Sequence, residues 1–250
     1  MAEGMLRRAM RLFSAFDEDD PELTAAQLAA RSGLPLSTVH RLIGQLMEEG
    51  LIGRTDGHRY AVGPRLWELG ELSPIALRLR ETALPHMSRL YEATGENVHL
   101  AVLDAPTPQS ATAIFAGRIT GRASVPTLGR IGGRHPLHTT GVGKALLATR
   151  DDAWLDEYLQ QPLLPETTHS ITDPDALRAE IGVARARGYA VTRGEMTLGN
   201  ISVASPIGMI GGLPPIAMGI VAHDSDTLER RLAPLVVQAA KELTRALRQD

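Results

Sequence analysis

The sequence predicts an α+β protein in which a small N-terminal helical unit with a β-wing precedes a larger domain built on a mainly antiparallel sheet. Three observations predict it. Residues 24–62 carry helix, turn, helix and hairpin signals in order; residues 64–93 keep helical periodicity; and from Asn97 onward short apolar strands alternate with helices. The expected boundaries are 1–63, 64–93 for a helical linker with the first helix of the next region, and 94–250.

The opening MAEGMLRRAMRLFSAF is broken by charge and lacks a sustained apolar core and a cleavage site, so it reads as a first helix rather than a secretion signal. Thr24 then offers an N-cap with Gln27 three residues on, the capping-box spacing, and Ala25, Leu28 and Ala29 follow at helical period. Ser32-Gly33 stops that helix, Leu34-Pro35 turns the chain, and a second helix starts at Leu36 or Ser37. Its apolar stripe is Val39, Leu42, Ile43 and Leu46. The opposite face carries Ser37, Thr38, His40, Arg41, Gly44 and Gln45.

This division of faces suits a helix-turn-helix, whose stripe fixes the second helix while its N-terminal turn meets the major groove. Ser37 and Thr38 suit phosphate or base edges, Arg41 a bidentate fork to guanine or a phosphate, and His40 and Gln45 flanking contacts. Gly44 costs about 1 kcal/mol of helix stability relative to Ala. It fits either close approach of backbone to backbone or simple tolerance. Leu51 to Val62 reads as a hairpin around an Asp56-Gly57 turn, with Arg54, His58 and Arg59 as candidate duplex contacts on the wing. Two helices and a hairpin also make an ordinary small core; the ordered combination of turn, helix start and wing favours double-stranded DNA.

Composition bounds the rest. The chain has 250 residues, 43% hydrophobic and 22% charged, which suffices for a real core. The absence of cysteine excludes disulfides, thiolate catalysis and Cys-ligated metal, and fits a reducing, cytoplasmic setting. The net charge is −3, and residues 1–63 carry seven arginines against nine acids. Five of those acids lie between Asp17 and Glu22, ahead of the reader, whereas Arg31, Arg41, Arg54 and Arg59 fall where a duplex would pass. DNA affinity should therefore be modest and salt-dependent.

Gly63-Pro64 starts the helical linker, and Ser73-Pro74 offers a second N-cap with proline at N1. Ile75, Leu79, Leu84, Met87, Leu90 and Tyr91 continue the periodicity, with Pro85 a kink or restart. Asn97–Leu103 and Ser110–Phe115 read as strands, followed by a glycine-rich stretch from Gly117 to Gly133. Helices are expected at 141–149, 152–160 and from Asp173-Pro174 to Gly188, then a strand over 189–193, a hairpin of 201–209 with 215–222, and a terminal helix from Ser225 or Asp226. The apolar run 207–222 is interrupted by glycine and proline, so two buried strands and a turn suit it better than a membrane span.

On these residues the chain resembles the IclR family of bacterial transcription regulators over nearly its whole length. The resemblance is carried by ELTAAQLAARSGLPLSTVHRLIGQLMEEGLI and YAVGPRLWELG in the first half, and by HPLHTTGVGKALLA, ITDPDALRAEIGVARARGYAV and the strand pair from Ile201 in the second. It implies a winged helix-turn-helix and a GAF-like effector domain, a homodimer or dimer of dimers, and control of a catabolic operon by a small organic effector, often a carboxylate or aromatic compound. The implied pocket wall includes Thr140, Gly141 and Val142, whose amides open a helix. Leu36 stands where such proteins commonly carry lysine. The acidic stretch after the Gly-Tyr strand is here Thr192-Arg193-Gly194-Glu195, and Gly219 and Val221 stand for late-strand serines. With Ser202 still polar, this points to a more apolar floor and to Thr140, Ser202 and Arg193 orienting the effector's polar end.

Other chemistries fit less well. Gly141-Val142-Gly143-Lys144 fails the phosphate-loop pattern, since His138 holds the first glycine position and Ala145 follows the lysine. His135, His138, His169 and His223 lack metal-ligand spacing and suit structural or pocket-lining roles. Neither Ser202 nor Ser205 sits in a nucleophile elbow, which makes a hydrolase remote. No catalytic residue, metal or cofactor is expected. The alternative of another class is a metabolite-binding module whose helix-turn-helix has become a protein-interaction surface.

Overall fold

The computed structural model describes residues 3–17, 19–121, 125–126 and 129–249. Met1 and Ala2 of the first predicted helix, Glu18 of the acidic loop and part of the glycine-rich stretch lie outside the described residues. The chain divides into two compact units, Met1–Ser73 and Pro74–Asp250.

The first unit runs α1 (Met5–Phe13), β1 (Glu22–Thr24), α2 (Ala25–Ser32), α3 (Leu36–Glu48), β2 (Ile52–Thr55), β3 (Arg59–Val62) and α4 (Pro64–Glu71). The capping box forms: the Gln27 backbone N–H donates to Thr24 Oγ1 at 3.3 Å, and the Thr24 N–H donates to Gln27 Oε1 at 2.9 Å. Gly33 ends α2 at φ +64°, a left-handed conformation that glycine adopts without Cβ strain. Arg11 from α1 donates through Nε to the Ser32 carbonyl at 3.0 Å, which satisfies one acceptor at that helix end. Val39, Leu42, Ile43 and Leu46 are all buried, and pack with Leu12, Leu23, Leu28 and Ile52 into one core. Burial of each such side chain contributes about 1.5–3 kcal/mol.

The wing differs from expectation in one respect. Its two expected strands pair from Ile52 opposite Val62 to Thr55 opposite Arg59, around Asp56-Gly57-His58, with positive φ at both Gly57 and His58. A third strand, β1, pairs with β3 on the other side. Only three residues long, it is too short for alternation to register in the sequence.

The second unit opens with a π-helical turn, Ile75–Arg80, which runs directly into α5 (Glu81–Thr94). Pro74 rather than Ser73 occupies the capping position, without a side-chain cap. Pro85 lies inside α5 without restarting it, and the Thr82 hydroxyl donates to the Arg78 carbonyl at 2.7 Å. The elements that follow are β4 (Asn97–Asp104), β5 (Thr112–Ile119), β6 (Arg134–His135), α6 (Gly141–Leu147), α7 (Asp152–Tyr158), α8 (Pro174–Arg187), β7 (Ala190–Arg193), β8 (Asn200–Pro206), β9 (Ile216–His223) and α9 (Leu228–Gln249).

The strands form one antiparallel six-stranded sheet in the order β6-β5-β4-β9-β8-β7. Val98, Leu100 and Val102 of β4 face one layer with Leu79, Met87, Leu232, Val236 and Leu243 of the helices before and after the sheet. Ala101 and Leu103 face the other, with Leu146 of α6, Tyr158 of α7 and Ile181 of α8. Helices therefore cover both faces, which removes the polar alternation that a half-exposed strand would show. Several boundaries shift. β5 begins two residues later than expected and continues through Gly117 to Ile119; β8 stops at Pro206, after which Ile207, Ile210 and Leu213 are buried in a connecting turn; and α9 begins at Leu228. Among the described residues no helix is long and apolar enough to cross a membrane.

Candidate nucleic-acid interface and ligand pocket

In the first unit Ser37, His40 and Arg41 of α3 are exposed, Thr38 and Gln45 are half-buried, and Arg54, His58 and Arg59 are exposed on the wing. The amphipathic turn of α3 causes this: the four buried positions hold one side, and the remainder must face outward. Arg41 makes no ion pair among the described residues, so its fork is available. Arg54 rests against His58 Nδ1, and Arg59 donates through Nη1 to the Glu22 carbonyl at 3.0 Å, which orients it along the wing. An added Cβ at Gly44 would meet nothing within 4 Å, so packing inside the chain does not require glycine there.

Arg31 does not join this surface. It ion-pairs with Asp17 at 2.9 Å and with Asp20, and donates to the Ala15 carbonyl. The acidic loop thereby captures one of the four expected cations, and the same contacts offset part of the loop's own charge.

In the second unit a partly open cavity lies between the sheet and the start of α6. Thr140, Gly141, Val142, Ser202, Gly219 and Val221 line it, together with His99, Phe115, His135, Thr192, Glu195, Met196, Thr197 and Asn200. Strand register brings these together. Ser202 pairs with both Thr192 and Val221, and His99 pairs with Gly219, so their side chains share one face. Gly141 lets α6 approach: a Cβ there would lie 2.3 Å from Ser202 Oγ.

Arg193 is the exception among the expected pocket residues. One position past Thr192 on β7, it points to the opposite face and pairs with Asp224 and with Glu229 at 3.1 Å. The period of two along a strand decides this. Thr140 is also more restricted than expected, because its hydroxyl donates to the Pro136 carbonyl at 2.9 Å and accepts from the Gly143 N–H at 3.1 Å. It can still accept from a ligand, but its one proton is committed. Since the Thr140 backbone carbonyl accepts the Lys144 N–H, the Gly141 and Val142 amides are what the first turn of α6 has left to offer.

The apolar wall is aromatic. Phe115 stands between His99 and His135, with ring centroids 4.8 and 4.5 Å away and tilted by 41° in both cases. Burial, then the charges of Arg118 and His135, push the His99 pKa down to about 3, so its imidazole is neutral at ordinary pH. At one end Glu195 is buried, and Lys144, fully buried, donates to Glu195 Oε1 at 2.7 Å. Desolvation raises the Glu195 pKa against the opposing pull of Lys144. That salt bridge accounts for the lysine of the Gly-Val-Gly-Lys segment, which is not presented to a phosphate.

His138 is structural: Nε2 donates to the Leu164 carbonyl at 2.9 Å, which leaves Nδ1 to accept from the Tyr158 hydroxyl at 3.3 Å. Ser205 donates to the Gly188 carbonyl at 2.9 Å. Among the described residues no group of three or more histidines and acids could hold a metal. The pocket members His99, Phe115, Glu195 and Asn200 were not anticipated as such. Once Ser202 is placed, β-pairing and alternation identify His99 and Thr192; nothing local marks Phe115 or Glu195.

A winged helix-turn-helix in one unit and a cavity walled by the sheet and α6 in an α+β domain define a DNA-binding regulator with an effector domain. The chain belongs to the IclR family: residues 5–56 match the IclR helix-turn-helix domain, and residues 75–248 match the bacterial transcriptional regulator IclR C-terminal domain. It is 31% identical over 247 residues to the glycerol operon regulatory protein of Streptomyces coelicolor, covering 98% of this chain and 95% of that one. It is 29% identical to the Pca regulon regulatory protein of Pseudomonas putida, covering 97% and 83%. Among solved structures, an IclR homolog from Microbacterium hydrocarbonoxydans complexed with 4-hydroxybenzoate superposes with a TM-score of 0.89 at 30% identity, covering 99% of this chain and 100% of that one. The family consists of transcriptional regulators and not enzymes, which removes the hydrolase alternative.

Proposed function

We propose that this protein regulates a catabolic operon in the cytoplasm, binding double-stranded operator DNA as a homodimer or dimer of dimers under control of a small aromatic effector. The observation that supports the effector class is the wall of His99, Phe115 and His135 facing Val142 and Val221, which offers an aromatic ring stacking partners and little water. The 4-hydroxybenzoate held by the Microbacterium relative is consistent with that wall. For DNA, Arg41 with Ser37, Thr38, His40 and Gln45 forms the reading face, and Arg54, His58 and Arg59 form the wing contacts. One copy offers few cations, so paired half-sites supply affinity. Residues 64–93 connect reader and effector domain, and an effector acts only through unequal affinity for the DNA-competent and DNA-incompetent states.

The test is a salt titration of a labelled fragment from beside the protein's own coding region against random DNA. Specific binding at low salt is expected, and Arg41→Ala should weaken it about 5- to 150-fold, the worth of one bidentate base contact. Ligand-induced thermal stabilisation should be retained in that variant. Binding no better than to random DNA would refute the regulator's proposed operator, and equal loss of both properties would remove Arg41 from readout.

A further inference from the structure

We infer that Glu195 selects the effector's chemistry: it accepts a hydrogen bond from a hydroxyl or N–H on an aromatic effector and keeps a carboxylate away from that end of the cavity. The inference rests on the reading of this cavity as the effector site. Glu195 lines the cavity and is only 7% exposed. Its Oε1 takes the Lys144 ammonium, whereas Oε2 is buried and makes no hydrogen bond of full geometry among the described residues, the Ile171 backbone N–H being a further donor acting on the carboxylate. A buried carboxylate oxygen can only accept, so what meets it must donate.

The carboxylate is held in place from three directions. The Ser170 hydroxyl donates to the Glu195 carbonyl at 2.7 Å and the Thr167 hydroxyl to the Gly194 carbonyl at 2.6 Å, which pins the backbone, and the fully buried Lys144 fixes the side chain. Swinging away to admit an anion would break the ion pair inside the protein.

Charge points the same way. None of the described lining residues is lysine or arginine. Lys144 is matched by Glu195 itself, and Arg118, beside His99, directs Nη1 to the Gly129 carbonyl at 2.7 Å. An effector carboxylate next to Glu195 would set two like charges together in a dry site.

Phenol, anisole and benzoate share a ring and differ as donor, capped donor and anion, and isothermal titration of the full-length protein with each tests the inference. Phenol is expected to bind roughly 10- to 100-fold more tightly than the other two. Glu195→Gln keeps an acceptor for Lys144 and presents an amide N–H at the other position, so it should lose most of the phenol preference and gain benzoate affinity. Benzoate binding as tight as phenol, or an unchanged ranking in Glu195→Gln, overturns the role of Glu195. If that variant fails to fold, the ranking in the unmodified protein decides alone.

Val221→Phe, which narrows the cavity from β9 rather than from the segment that carries Glu195, separates the two readings. If it abolishes binding of a probe that ranks wrongly, the cavity stands as the effector site and only the Glu195 inference falls. If probes bind as well in Val221→Phe as in the unmodified protein, or if no probe binds at all, the effector-site reading for aromatic compounds fails and takes this inference with it.

Discussion

Replacing Lys144 with methionine removes a charge while conserving most of the side-chain volume, which isolates the ion pair from packing. Lys144 is 0% exposed and Glu195 8% exposed as side chains, so the variant leaves a buried carboxylate without its partner. Breaking a buried pair from one side costs about 3–5 kcal/mol. For a unit of this size that corresponds to a fall of about 6–20 °C in Tm. The pH dependence carries the diagnosis. Burial already raises the Glu195 pKa, and Lys144 is the main influence holding it down, so Lys144→Met raises it further. A carboxyl whose folded pKa exceeds its unfolded value stabilises the fold below the unfolded pKa, and that contribution is lost as pH rises through the folded pKa. In a scan from about pH 8 to about pH 5 the Tm gap between the two proteins should therefore be widest at the alkaline end and shrink toward the acid end, as Glu195 of the variant takes up a proton. Scanning calorimetry on the full-length chain measures this. A gap that stays constant over that range, or widens in acid, would refute the assignment of the loss to an uncompensated Glu195.

Two further outcomes test how the pocket is assembled. Gly141→Ala places a methyl 2.3 Å from Ser202 Oγ, an overpacking expected to cost about 1–3 kcal/mol in thermal or urea unfolding, and Ser202→Gly in the same chain should restore most of it; no rescue would mean that the clash is not the cause. Arg193→Met should leave probe affinity in calorimetric titration unchanged and cost at most about 1 kcal/mol, because its pairs with Asp224 and Glu229 lie at the surface. A tenfold loss of affinity would return Arg193 to the pocket.

The reader was legible because its signals are local. The Thr24–Gln27 box, the Gly33 stop and the stripe from Val39 to Leu46 each lie within a few turns of chain, where capping and helical period act directly. β1 escaped because three residues cannot display a period and its partner lies beyond both helices. The strand β4 hid its two faces for a different cause: both are covered, so hydrophobicity alone does not separate His99, which faces the cavity, from Leu100, which faces the helices.

The sequence by itself determined that the chain has a winged reader and an antiparallel sheet domain and that thiol chemistry is absent, whereas Gly141 and Ser202 entered as pocket residues only through the family resemblance. Only the tertiary structure decided which charged groups reach the cavity and the reading face. It turned Arg193 outward, drew Arg31 into the acidic loop and set Lys144 against Glu195, 51 residues away. Capping and periodicity are short-range, whereas the partner of a buried charge depends on strand register and helix placement summed over the whole domain.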